Sequence, residues 1–240
     1  MRDGSGRDAA DAVDAAGAVD AADEIVLPPA SVVPGSVGIL GGTFDPIHHG
    51  HLVIAEEARE ALGLERVLFM PASAPPHKPG RPVTDPAHRI AMARLAVADN
   101  PTFAVSPVEV ERGGSSYTVE TLEAVRADGL VEPWLILSSE ALAGFETWRD
   151  PSRILDLARL AVVPRGGHEP LGPAWFEARF PGRGDRVRFL SGPLLPISGS
   201  VVRRRAAAGR SVRYLVPDAV ARYIADHDLY AGPFWRTMTS

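Results

Sequence analysis

Residues 41–52 read GGTFDPIHHGHL, two glycines followed at a short distance by three histidines. An imidazole can donate a hydrogen bond to a phosphate oxygen and offset charge that builds there during a transfer. His48 and His51 are three positions apart, so one turn of helix sets them on one face. Gly41 and Gly42 allow a sharp turn and let a ligand come close to main-chain amides. A helix beginning beyond them would present unpaired N–H groups and a partial positive charge, which favour an anion. The chemistry in view is the binding and transfer of a phosphate. Two blander readings compete: a plain turn after a strand, and histidines that cap a helix or face solvent. A metal centre at His48, His49 and His51 is set aside, because no carboxylate stands at a fitting spacing and the HExxH pattern is absent.

Such a turn needs a strand before it and a helix after it. Val37 to Leu40 is a short apolar run that suits the strand. HLVIAEEAREAL (51–62) has the spacing of the helix, and Gly63 can stop it. Further apolar runs predict strands at 67–70, 134–137, 160–163 and 187–190. FAVSPVEVE (103–111) reads as extended, with Pro107 marking an edge or a bulge. SAPPHKPGRP (73–82) is a proline-rich loop. Helices are expected over HRIAMARLAVADN (88–100), SYTVETLEAVRADG (116–129), around 153–157, and at 200–208 and 218–225. Ser116 or Thr118 would cap the helix at 116–129, and Gly129 would follow its end. Apolar strands alternating with amphipathic helices define an α/β class, a Rossmann-like doubly wound and mostly parallel sheet covered on both faces. Ligands of such sheets lie at the carboxyl ends of the strands, where strand order reverses.

Charge and composition narrow the partners. The first 35 residues hold seven acids against Arg2 and Arg7, which accounts for the whole net charge of −5 of the 240-residue chain. The rest sums to zero, so a long polyanion such as a nucleic acid is not an expected partner, whereas a small phosphate compound is. DAADAVDAAGAVDAADE (8–24) is too poor in large side chains to offset the entropy of ordering, and LPPASVVPGS (27–36) reads as a linker. The expected division is an acidic disordered tail with linker at 1–35, one domain at 36–230 and a short tail at 231–240. No apolar run approaches the roughly 18–20 residues of a membrane span. The absence of Cys fits a reducing, cytoplasmic setting.

GTFDPIHHGH resembles the signature of the HIGH-superfamily nucleotidyltransferases, whose two signature histidines fall on His48 and His51. PASAPPHKP (71–79), ERGGSSYTVETL (111–122), GFETWRDPSRIL (144–155), VVPRGG (162–167) and RYLVPDAVARYI (213–224) follow in the order of the nicotinate-nucleotide adenylyltransferase family. The resemblance spans residues 37–230. It implies transfer of an adenylyl group from ATP to nicotinate mononucleotide, with magnesium carried on the ATP phosphates, and it is compatible with a homo-oligomer. It assigns ATP contacts to Gly41, Gly42, Thr43, Phe44, His48 and His51.

PLLPISGSVVRRR (193–205) resembles the family's second ATP motif, with Ser198, Ser200 and Arg203 as a further phosphate clamp. Arg203 is thereby grouped with His48 and His51 as catalytic. On the side of the mononucleotide the resemblance places Lys78, Tyr117, Thr118, Trp148 and Arg165, with Trp148 stacking on the pyridine ring. Two departures stand out. Gly199 replaces a family serine, and Ser138-Ser139-Glu140 stands where Gly-x-Asp is usual, leaving Glu140 as the carboxylate for a ribose. They motivate a competing reading, a nucleotide-binding paralogue with little turnover. Use of the amide mononucleotide is a further alternative. The sister pantetheine-phosphate family ranks below these, because it is shorter and lacks the SYT and TWR segments.

Overall fold

The strands are apolar throughout because their side chains enter two cores in alternation. In β2 (Arg66–Pro71), Val67 and Phe69 face one core while Leu68 and Met70 face the other. The same alternation holds in β4 (Trp134–Ser138), with Trp134 and Ile136 opposed to Leu135 and Leu137. The structure is a computed structural model that describes residues 35–74, 83–164 and 171–232. Its sheet has six strands in the order β3-β2-β1-β4-β5-β6, and every pairing is parallel. The remaining members are β1 (Val37–Gly42), β3 (Phe103–Val105), β5 (Arg159–Val163) and β6 (Val187–Phe189). The expected fold class holds, and the sheet is wholly rather than mostly parallel.

Helices cover both faces. On one lie α1 (His49–Leu62) and α2 (Pro86–Val97), with α8 (Gly199–Ala207) and α9 (Asp218–Asp226). On the other lie α4 (Thr118–Ala127), α5 (Ser139–Ala143), α6 (Pro151–Leu157) and α7 (Pro173–Arg179). Gly63 ends α1 in the left-handed conformation, as its position suggests. From β1 the chain runs outward through β2 and β3, then returns to pair β4 on the other side of β1. The order thus reverses between β1 and β4, and the crevice at their carboxyl ends is where such folds bind ligands.

Two local expectations need correction, and two helices were not expected. The stretch 103–111 is extended only to Val105; Val108–Arg112 forms a short helix, α3. Pro107 sits at its N-cap, where a missing N–H does no harm, and Glu109 is buried to accept from the Thr121 hydroxyl at 2.7 Å. Neither Ser116 nor Thr118 caps α4. Its N-cap is Tyr117, with no side-chain cap bond, and the Ser116 hydroxyl instead accepts from the Ser73 amide at 2.8 Å. Finally, α5 and α7 have no counterpart in the sequence reading, being only five and seven residues long.

Candidate active site

His48 is the N-cap of α1, with an extended backbone (φ −148°, ψ 167°). Its main-chain N–H donates to Nδ1 of His51 at 3.2 Å. The two imidazoles stack with centroids 3.7 Å apart and planes 20° from parallel. With Nδ1 of His51 accepting, Nε2 is left as its donor nitrogen. His48 is buried and His51 half-buried. One glycine makes room for this pair and another for the neighbouring Phe44 ring. A Cβ on Gly50 would lie 3.0 Å from Nδ1 of His48, and one on Gly42 would lie 2.9 Å from the ring of Phe44. Gly42 therefore serves the packing of Phe44, whereas a Cβ on Gly41 would meet nothing within 4 Å.

Phe44 carries strain. Its φ of +47° is unusual for a bulky side chain, a conformation that costs about 1–3 kcal/mol and persists where its surroundings fix it. Its ring is buried and meets His51 edge-on, centroids 5.0 Å apart at 88°. The turn is gripped from several elements. Arg89, on α2, is fully buried, and its guanidinium donates to the carbonyls of Thr43 at 2.8 Å, Ala72 at 2.7 Å, Ser73 at 3.0 Å and Thr84 at 2.8 Å. Burial holds its pKa below the ordinary arginine value, with the Asp45 carboxylate opposing. Asp45 is also buried, and Tyr230 donates its hydroxyl to Oδ1 at 2.8 Å. Burial, then the charge of Asp45, pushes the Tyr230 phenol well above the ordinary tyrosine range, so it stays a donor at neutral pH.

The start of α8 meets the same turn. Ser198 caps the helix, accepting from the Val201 amide at 3.3 Å. Arg203 donates to the Asp45 carbonyl, and to the Ser200 hydroxyl at 3.2 Å. Gly199 has a local reason: a Cβ there would stand 2.8 Å from the Asp45 carbonyl oxygen. The structure thus brings Gly41 to Phe44, His48, His51, Ser198, Ser200 and Arg203 together around one turn. Glu140 stands in the first turn of α5, exposed, just beyond the carboxyl end of β4 beside β1, after Ser138 caps that helix at 3.2 Å from the Ala141 amide.

A second group forms at the start of α4. Tyr117 and Trp148 pack against the core of that face, and Trp148 is half-buried with its ring centroid 5.4 Å from that of Phe145. Arg149 lays its guanidinium 4.7 Å from the centre of the Tyr117 ring and reaches Glu120 at 2.6 Å. That contact carries the segment of Trp148 to the end of α4 where Thr118 begins the helix. The Ser73 amide bonds Ser116 while the Ser73 carbonyl accepts from Arg89, so one residue joins the two groups. Lys78 and Arg165 lie outside the described residues.

Sequence reasoning missed Asp45, Arg89 and Tyr230. Arg89 had a signal: it falls on the apolar stripe of α2 with Met92, Ala93 and Ala96, where a charge is out of place unless it is used.

A parallel sheet with imidazoles and a helix start at its switch point defines a nucleotidyltransferase, and comparison with known proteins agrees. The cytidylyltransferase-like family model matches residues 39–205. A Roseiflexus sp. protein named "Probable nicotinate-nucleotide adenylyltransferase" is 52% identical over 81% of this chain and 97% of its own length. A Thermomicrobium roseum protein of the same name is 49% identical over 81% of this chain and 91% of its own. The solved nicotinic acid mononucleotide adenylyltransferase of Plasmodium falciparum, complexed with NaAD, superposes with a TM-score of 0.69 at 16% identity, covering 82% of this chain and 98% of that one. That likeness speaks for the fold. The chain belongs to the cytidylyltransferase-like family, and within it to the nicotinate-nucleotide adenylyltransferases.

Proposed function

We propose that the chain transfers the adenylyl group of ATP to nicotinate mononucleotide, releasing pyrophosphate and forming deamido-NAD in NAD biosynthesis. One observation carries the reading: the stacked His48–His51 pair at the start of α1, with Nδ1 of His51 accepting from the His48 amide. A phosphate oxygen of the mononucleotide attacks the α-phosphorus of ATP. A new P–O bond forms and the bond to pyrophosphate breaks. The attacking oxygen is already anionic, so alignment and charge stabilisation are what the protein must supply. His48, His51 and the α1 amides receive the triphosphate, with Gly41, Gly42, Thr43 and Phe44 shaping its approach.

Ser198, Ser200 and Arg203 form the second phosphate contact, and Glu140 holds a ribose. Tyr117, Thr118 and Trp148 receive the pyridine end, Trp148 by stacking and the α4 amides by meeting the carboxylate. Lys78 and Arg165 are assigned to the mononucleotide phosphate from sequence alone. Magnesium would be carried on the ATP phosphates, as it commonly is at nucleotide sites. Bound there, it would neutralise phosphate charge.

The partners are these two small molecules rather than a nucleic acid, which the neutral balance of residues 36–240 supports. No described helix is long and apolar enough to cross a membrane, and with the lack of Cys this favours a cytoplasmic setting. The close fit of Gly199 against Asp45 favours a working enzyme over a low-turnover paralogue, since the departure is accommodated rather than left as a gap. Pyrophosphate release with ATP and the acid or amide mononucleotide tests the reading. Turnover with the acid form is expected; preference for the amide, or tight binding without release, would overturn it.

A further inference from the structure

The turn after α9 belongs to none of the motifs assigned to the site, yet its Tyr230 reaches into it. Tyr230 is 3% exposed, and its ring is part of the core beneath α1, α2 and α9. Its hydroxyl meets Oδ1 of Asp45 at 2.8 Å. The other oxygen of Asp45 receives the Thr84 amide at 3.4 Å and lies 3.9 Å from the Arg203 guanidinium. Tyr230 holds φ at +68°, as Phe44 holds +47° beside Asp45. Two bulky residues in the left-handed region thus flank one carboxylate, and such conformations last only where contacts fix them.

We propose that Tyr230 is a positioning residue for the transfer reaction: by holding Asp45 it fixes the Phe44 turn, and through the Phe44 ring it sets the place of the His51 imidazole. The route is continuous, from the hydroxyl on Asp45 to the adjacent Phe44 and then 5.0 Å, edge-on, to His51. Only the hydroxyl performs this task, because the ring packs as a phenylalanine would. The kinetic part of the inference rests on the function proposed above.

Tyr230→Phe in the full chain separates positioning from folding. Pyrophosphate release is expected to show kcat reduced about tenfold with both KM values within about twofold, the pattern of a misplaced reacting geometry. Amide exchange across 41–52 should quicken while that of β4 does not change. Tyr223→Phe, on α9, removes a comparable phenol contact, to Nδ1 of His88 on α2 at 2.9 Å, and should keep wild-type kcat. Adding Tyr230→Phe to Asp45→Asn should lower kcat no further than Asp45→Asn alone. Wild-type kcat in Tyr230→Phe, an equal fall in Tyr223→Phe, or losses that multiply in the double variant would overturn the inference. If the wild type released no pyrophosphate, the functional reading would fail. Exchange across 41–52 would then decide this inference alone, and unchanged exchange would refute it.

Discussion

One side of the crevice is held from inside the protein and the other from its surface. Around residues 43–51 the fastenings are Arg89, Asp45 and Tyr230, all buried, with every carbonyl on Arg89 a main-chain one. Around Tyr117 and Trp148 they are ion pairs such as Arg149–Glu120, whose side chains are 57% and 36% exposed, and Arg153–Glu123 at 3.2 Å. A buried polar group left without its partner costs about 1–3 kcal/mol, whereas an exposed ion pair contributes about 0–1 kcal/mol. The comparison teaches a division of labour. On the proposed function, the end where bonds would change is set by the fold, and the end that would receive the pyridine rests on contacts that can be exchanged at little expense.

The contrast can be broken at both ends. His51→Ala should lower kcat by about 100-fold or more with the fold retained, an effect of roughly 3–4 kcal/mol on the barrier. Near-normal turnover would refute the role of the imidazole. Arg89→Met should strand four carbonyls and lower the unfolding free energy by about 3 kcal/mol or more, read from the denaturant midpoint. A loss under about 1 kcal/mol would mean the interior fastening is no stronger than the surface one. Trp148→Ala should raise KM for the mononucleotide about tenfold and leave kcat within a few fold, because stacking acts on ground and transition states alike. An unchanged KM would remove Trp148 from the site. Glu120→Gln should change stability by less than about 0.5 kcal/mol, and less again at high salt. A larger loss would show that the surface pairs carry more than their exposure suggests.

Much of this was legible in the sequence, and what was not has a physical reason. The strands declared themselves because a sheet covered on both faces admits only apolar side chains, as Leu135 to Leu137 illustrate. The closeness of His48 and His51 was legible from their spacing, although His48 is the extended N-cap of α1 rather than a helical residue. Asp45 and Tyr230 were not, since their meaning lies in contacts between residues far apart in the chain, and Arg89 showed only as a charge on an apolar stripe, without its partners. The Ser116 hydroxyl was misread for the same reason. A local rule made it a helix cap, and a distant amide, Ser73, took it. Short helices such as α5 escaped because five residues carry too little periodicity to register.

The bond between Tyr230 and Asp45 spans 185 positions. A chain emerging from the ribosome can lay down β1 to β4 while the last turn is still unmade. The corner around Asp45 therefore matures late, after the scaffold around it. If Tyr230 positions the corner as proposed, a chain cut just before residue 230 would keep its sheet and lack a properly seated His51.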